Sequence, residues 1–109
     1  MTTAAFNRRK DTDLILICGH AQYAQPDIVC SAASMLACTL AAALEHKGMF
    51  SFEKNDGSVK IQTARSAASD AAVDTVREGF RLLSQKYPEN VRLVENGMLW
   101  RRPEDEQNS

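Results

Sequence analysis

The chain carries no excess of positive charge. Thirteen Lys and Arg stand against fourteen Asp and Glu, a net charge of −1. Binding to nucleic acid through its phosphates is therefore not expected. No acidic tract is long enough to suggest a disordered acidic protein. The five glycines are scattered and form no phosphate-cradling or dinucleotide-binding pattern. Cysteine is scarce, three in all, with no Cys-x-x-Cys and no framework spacing. An odd number of thiols points to a reducing compartment rather than a disulfide scaffold. The longest apolar stretch, Ala32 to Leu44, is broken by Ser34 and Thr39 and reads as too short and alanine-rich to span a bilayer. The N-terminus places Arg8 and Arg9 after, not before, anything apolar, unlike a secretory signal. Together these absences predict a cytoplasmic protein with no membrane or nucleic-acid partner.

Hydrophobic residues make up 44% of 109 residues, much of it alanine. That suits one domain with a thin, closely packed core. We place this domain at residues 1–100 and read 101–109 as a disordered tail, since it is charged and contains proline.

Residues 3–8 form a weak strand, then a polar turn at 9–13. Leu14-Ile15-Leu16-Ile17-Cys18 is a continuous apolar run, the pattern of a strand covered on both faces. Period two puts Leu14, Leu16, Cys18 and His20 on one side. Gly19 ends the strand, and 21–26 form a loop closed by Pro26. Asp27 is a candidate N-cap for a helix from Ile28 to His46, with Lys47-Gly48 as its stop. A hairpin follows, with Phe50 and Phe52, a turn at Asn55-Asp56-Gly57, then Val59 and Ile61. From Ser66 or Ser69 to Tyr87 runs an amphipathic helix with Val73, Val76, Phe80, Leu83 and Tyr87 on one stripe, stopped by Pro88. Residues 91–95 read as a last strand, Asn96-Gly97 as a hairpin turn, and 98–100 as a short return. The order ββαββαβ predicts an α+β fold, two helices packed on a mostly antiparallel sheet.

His20 and Cys30 carry the chemistry. A thiolate rather than a thiol is the nucleophile, and a helix N-terminus beside an imidazole is the setting that favours it. Cys30 falls in the first turn of the long helix, where backbone N–H groups lack partners and offer an oxyanion hole. Against this stands the common role of cysteine in an alanine-rich helix as a small buried hydrophobe. Cys18 in mid-strand and Cys38 in mid-helix lack the setting and read as packing residues. A ten-residue connection, partly loop, is long enough to bring the imidazole of His20 back to the helix start. His46 suits a capping role at the helix end. Asp27 can cap the helix or orient the imidazole, with the cap favoured. Ser34, four residues after Cys30, shares its face. A zinc site from Cys18, His20, Cys30 and Cys38 is the chemical rival, but Cys-x-His on a strand is not a zinc knuckle. We expect no metal and no cofactor.

Gly19-His20-Ala21 closing a strand and Asp27-Ile28-Val29-Cys30-Ser31-Ala32-Ala33-Ser34 opening a helix together resemble the ribosomal-processing cysteine protease (Prp) family. Its motifs are Gly-His-Ala and Asp-Ile-Val-Cys-Ala-x-Val-Ser, and the likeness extends over residues 3–95. The resemblance implies a homodimeric endopeptidase that removes an N-terminal extension from a large-subunit ribosomal protein. It makes Cys30 the nucleophile and His20 the general base and acid, with Asp27 and Ser34 in supporting positions. Gln22, Tyr23 and Gln25 fall in the loop that would clamp the peptide. The chain departs from the family in its shorter His-to-Cys connection, which lacks glycine, and in Ser31 and Ala33. A related, phage-type substrate is accordingly one variant of this expectation. An inactive, ribosome-associated or assembly module of the same fold is the alternative.

Overall fold

In the computed structural model the described residues are 1–21, 24, 27–45, 50–97 and 100. Seven elements follow in the expected order: β1 (Thr2–Arg8), β2 (Thr12–Cys18), α1 (Ile28–Glu45), β3 (Phe50–Asn55), β4 (Ser58–Ala64), α2 (Ala67–Lys86) and β5 (Val91–Gly97). The strands form one sheet in the order β3-β4-β2-β1-β5. All pairings are antiparallel except β1 with β5, which is parallel.

One face of this sheet is covered by both helices. Residues opposite each other share a face, and the register aligns Phe6 with Ile15 and Ile15 with Ile61. These side chains are fully buried, together with Val29, Leu40 and Leu44 of α1 and Val73 and Phe80 of α2. The Phe6 and Phe80 rings meet at 5.9 Å, so the sheet and α2 share one core. The alanines of α1 explain its close approach: Ala33 and Ala37 are buried between Val29 and Leu40. By length and composition this 18-residue helix is also apolar enough to cross a membrane. The stripe Val29, Ala33, Ala37, Leu40 and Leu44 instead packs into the core.

The run Leu14–Cys18 is not covered on both faces as its composition predicts. Ile15 and Ile17 are buried, whereas Leu14 and Cys18 are half-buried and Leu16 is exposed. An unbroken apolar run reports β propensity but not how many layers lie above and below. Asn96-Gly97 is not a hairpin turn either. Both residues continue β5, where Gly97 pairs with Arg8. Gly97 has φ +94, and a Cβ there would collide with the carbonyl oxygen of Arg8. The packing role read for Cys38 is also overturned, because it is exposed on α1. It follows the buried Ala37 by one residue, about 100° around the helix. Of the expected return at 98–100, Trp100 lies in no strand, while residues 98–99, the tail at 101–109 and His46 lie outside the described residues.

α2 starts where its sequence indicates. Ser66 accepts the Ser69 N–H, and the Ser69 hydroxyl accepts the Ser66 N–H, a reciprocal capping box.

Candidate active site

The strand register sets the site. β2 ends at Cys18, opposite Ser58 of β4, so the segment after β2 lies beside the β3–β4 turn. There the Gly19 N–H donates to the carbonyl of Gly57 at 2.8 Å. Gly19 has φ +87, a conformation that carries the chain out of the sheet's alternation. His20 is thereby turned toward the hairpin tip: a Cβ placed on Gly57 would lie 3.5 Å from His20 Nε2.

The first turn of α1 approaches the same place. Asp27 caps the helix, its Oδ1 accepting the Cys30 N–H at 2.9 Å while its carbonyl accepts the Ser31 N–H at 3.1 Å. The favoured reading of Asp27 as a cap is what the chain shows. This bond alters one expectation. The Cys30 amide is occupied by the cap, so that N–H is not an open oxyanion donor in this state. A carboxylate at the cap also meets the positive end of the helix dipole.

His20, Cys30 and Ser34 line one cleft of about 490 Å³ between α1 and the β3–β4 hairpin. Ala33 and Ala37 continue its helical wall, and Lys54, Asn55, Asp56 and Gly57 form the opposite one. Such a volume suits a peptide segment more than a single atom or ion. Small residues on α1 leave the room. Cys30 is half-buried and His20 is exposed. Among the described residues no hydrogen bond joins the imidazole to the thiol, and catalytic hydrogen bonds are commonly long before substrate binds.

Cys18 and Cys38 do not border the cleft. Among the described residues no cluster of three His, Cys, Asp or Glu is arranged to hold a metal ion. Gln22, Tyr23 and Gln25, the expected substrate loop, lie outside the described residues.

The sequence reading missed several residues at this site. Thr2 lines the cleft and is buried, and its Oγ1 has no hydrogen-bond partner among the described residues. The hairpin tip also borders it. Asn55-Asp56-Gly57 was legible as a turn, but its place beside His20 follows from the β2–β4 register, which no local pattern states.

Comparison with known proteins gives the same fold. The crystal structure of the essential ribosomal processing protease Prp from S. aureus, in complex with a covalently linked product peptide, matches with a TM-score of 0.78 and 20% identity. The match covers 88% of this chain and 100% of that one. The S. aureus protease in complex with a substrate peptide gives 0.73 and 18%, with the same coverage. SMU.848 from Streptococcus mutans gives 0.66 and 25%, covering 90% of this chain and 96% of that one. No curated protein sequence matches the chain significantly. Residues 1–92 match the family profile described as cysteine protease Prp. With most of its length covered by that match, the chain belongs to the Prp family of cysteine proteases.

Proposed function

We propose that the protein is an endopeptidase that removes an N-terminal extension from a ribosomal protein or a related, phage-type protein, using Cys30 as nucleophile and His20 as acid–base. The observation that carries this reading is the meeting of His20 and Cys30 on one peptide-sized cleft. The solved relatives described as ribosomal processing proteases, bound to substrate and product peptides, support the choice of substrate.

The Cys30 sulfur attacks the carbonyl carbon of the scissile bond, and its proton passes to the imidazole of His20. The resulting imidazolium donates that proton to the leaving amine as the C–N bond breaks, leaving a thioester on Cys30. Water then attacks the thioester while His20 takes its proton. The C–S bond breaks, the thiol is restored, and the new C-terminal acid departs. The chemistry needs no cofactor. Ser34 borders the peptide path on the same helical face, and Asp27 acts by holding the first turn in place.

We place this activity in the reducing cytoplasm, consistent with three free cysteines. We also assign a homodimer joined through the outer face of α1, where Ile28 and Met35 are exposed; sedimentation analysis showing a monomer at micromolar concentration would remove that assignment.

The test is incubation with an N-terminally extended ribosomal precursor, wild type against Cys30→Ala. Shortening by the wild type alone is expected. A precursor left whole by both, with selective alkylation of Cys30 retained, overturns the substrate while keeping the nucleophile. Equal, slow alkylation of all three thiols favours the inactive module.

A further inference from the structure

We propose that Asn90 is a positioning residue for His20. It lies in the turn after α2, 69 residues beyond Ala21, and uses three polar groups to join three parts of the fold. Its N–H donates to the Tyr87 carbonyl at 3.0 Å, and its carbonyl accepts the Thr2 N–H at 2.9 Å. Its side-chain Nδ2 donates to the carbonyl of Ala21 at 2.9 Å. The orientation of the carboxamide is fixed by chemistry, since a carbonyl only accepts and the amide nitrogen only donates.

Ala21 directly follows His20 and is buried. On the other side of His20, the Gly19 N–H is held by the Gly57 carbonyl. The imidazole therefore projects from a backbone tied at both flanking residues, by the β3–β4 turn on one side and by Asn90 on the other. His20 is exposed, and among the described residues its side chain makes no hydrogen bond. Its aim toward the cleft depends on where its backbone is held. A displacement of about 1 Å at a reacting group is enough to slow catalysis about 100-fold. The side-chain bond is also separable from the fold. Both backbone bonds of Asn90 survive a side-chain substitution, so β1 and α2 stay joined while Ala21 is released.

This inference rests on the reading of His20 as acid–base, and the experiment separates the two. Wild type, Asn90→Ala, Asn90→Gln, His20→Ala and the double variant Asn90→Ala/His20→Ala are assayed as full chains on the extended ribosomal precursor. Asn90→Ala is expected to lower kcat about 10- to 100-fold with KM within about twofold. Asn90→Gln, which keeps a donor, should recover part of the loss. Adding Asn90→Ala to His20→Ala should cost nothing more, since groups acting through one another are not additive. An unchanged kcat in Asn90→Ala overturns the proposal. So does the same further loss in the His20→Ala background, which marks a general structural role. If His20→Ala itself keeps full kcat, the acid–base reading falls first. Should Asn90→Ala fail to fold, the isosteric Asn90→Asp, which lacks the donor, replaces it. An imidazole NMR titration of His20 identical to wild type in that variant would likewise overturn the proposal.

Discussion

The seven-residue strand β1 begins at the cleft with Thr2 and ends at Arg8, and the two ends of the sheet treat polar groups differently. At the Arg8 end the charges are paired, with Arg8 and Asp13 buried and Asp70 and Asp74 partly exposed. The guanidinium of Arg8 grips Asp13 through two bonds, 2.8 and 2.9 Å, with both side chains nearly inaccessible. It also lies 3.1 Å from Asp74 and 3.6 Å from Asp70. Arg65 adds a two-bond pair with Asp70. The ring of Trp100, the chain's one tryptophan, lies beside Arg8 and Arg77, with centroid distances of 4.2 and 4.9 Å. At the cleft end, by contrast, Lys54 and Asp56 are exposed, and among the described residues neither the His20 ring nor the buried Thr2 hydroxyl has a hydrogen-bond partner. The difference separates stability from chemistry. One end holds its charges in ion pairs with each other, and the other leaves polar groups open on a cleft.

The sharpest way to break that comparison is to substitute each end and read both properties. Cys30→Ala is expected to lower cleavage by at least about 10⁴-fold while leaving the urea midpoint nearly unchanged. A large fall in stability instead would make the thiol a packing residue. Asp13→Ala is expected to do the reverse. It strands the buried Arg8 charge and should cost about 3–5 kcal/mol in urea unfolding, with kcat per folded molecule retained. A loss under about 1 kcal/mol would show that water reaches Arg8. Trp100→Ala removes both cation–π contacts and an edge contact with Phe6, and should cost about 1–2 kcal/mol by thermal melting.

Smaller effects test the charges individually. Arg65 holds the Asp70 carboxyl below its ordinary 3.8 by hydrogen bonding, against the opposing effect of burial, with Arg8 adding to the lowering. Asp70 therefore contributes stability above its unfolded pKa, and that contribution is lost as pH falls through the lower folded value. Asp74 behaves oppositely. Burial pushes its carboxyl up and outweighs the attraction of Arg8 and Arg77. Its favourable contribution is complete below the unfolded value and disappears as pH rises through the folded one. Melting curves from pH 3 to 7 should show the deficit of Asp70→Asn closing in acid. Relative to wild type, Asp74→Asn should instead improve as pH rises; parallel curves for both would refute the opposed assignments. Thr2→Val, the smallest change, replaces a buried hydroxyl with no hydrogen-bond partner among the described residues and should raise stability by up to about 1 kcal/mol. A lost activity in that variant would instead mark the hydroxyl as a substrate contact.

The two ends also differed in how well the sequence revealed them. Gly19-His20-Ala21 and Asp27–Ser34 are local patterns, so their strand end and helix start could be read directly. The α2 stripe was equally visible, and Val73, Val76 and Phe80 are buried as expected. The charged end was missed because Arg8 and Asp13 flank a polar turn and look solvated. A signal was available: Arg8 shares the parity of Ala4 and Phe6, and Asp13 that of Ile15 and Ile17, so both must face the helices. Asn90 gave no such signal, since its partner is distant in sequence and chosen by the register of β1 with β5. The one-sided exposure of Leu14, Leu16 and Cys18 was hidden for the same reason, because layering is decided by elements elsewhere in the chain.

Thr2 forms part of the cleft wall, and Met1 sits beside Gly19 at its rim. An affinity tag fused ahead of Met1 would thus leave the molecule beside the cleft, as a blocking plug or as bait for self-trimming.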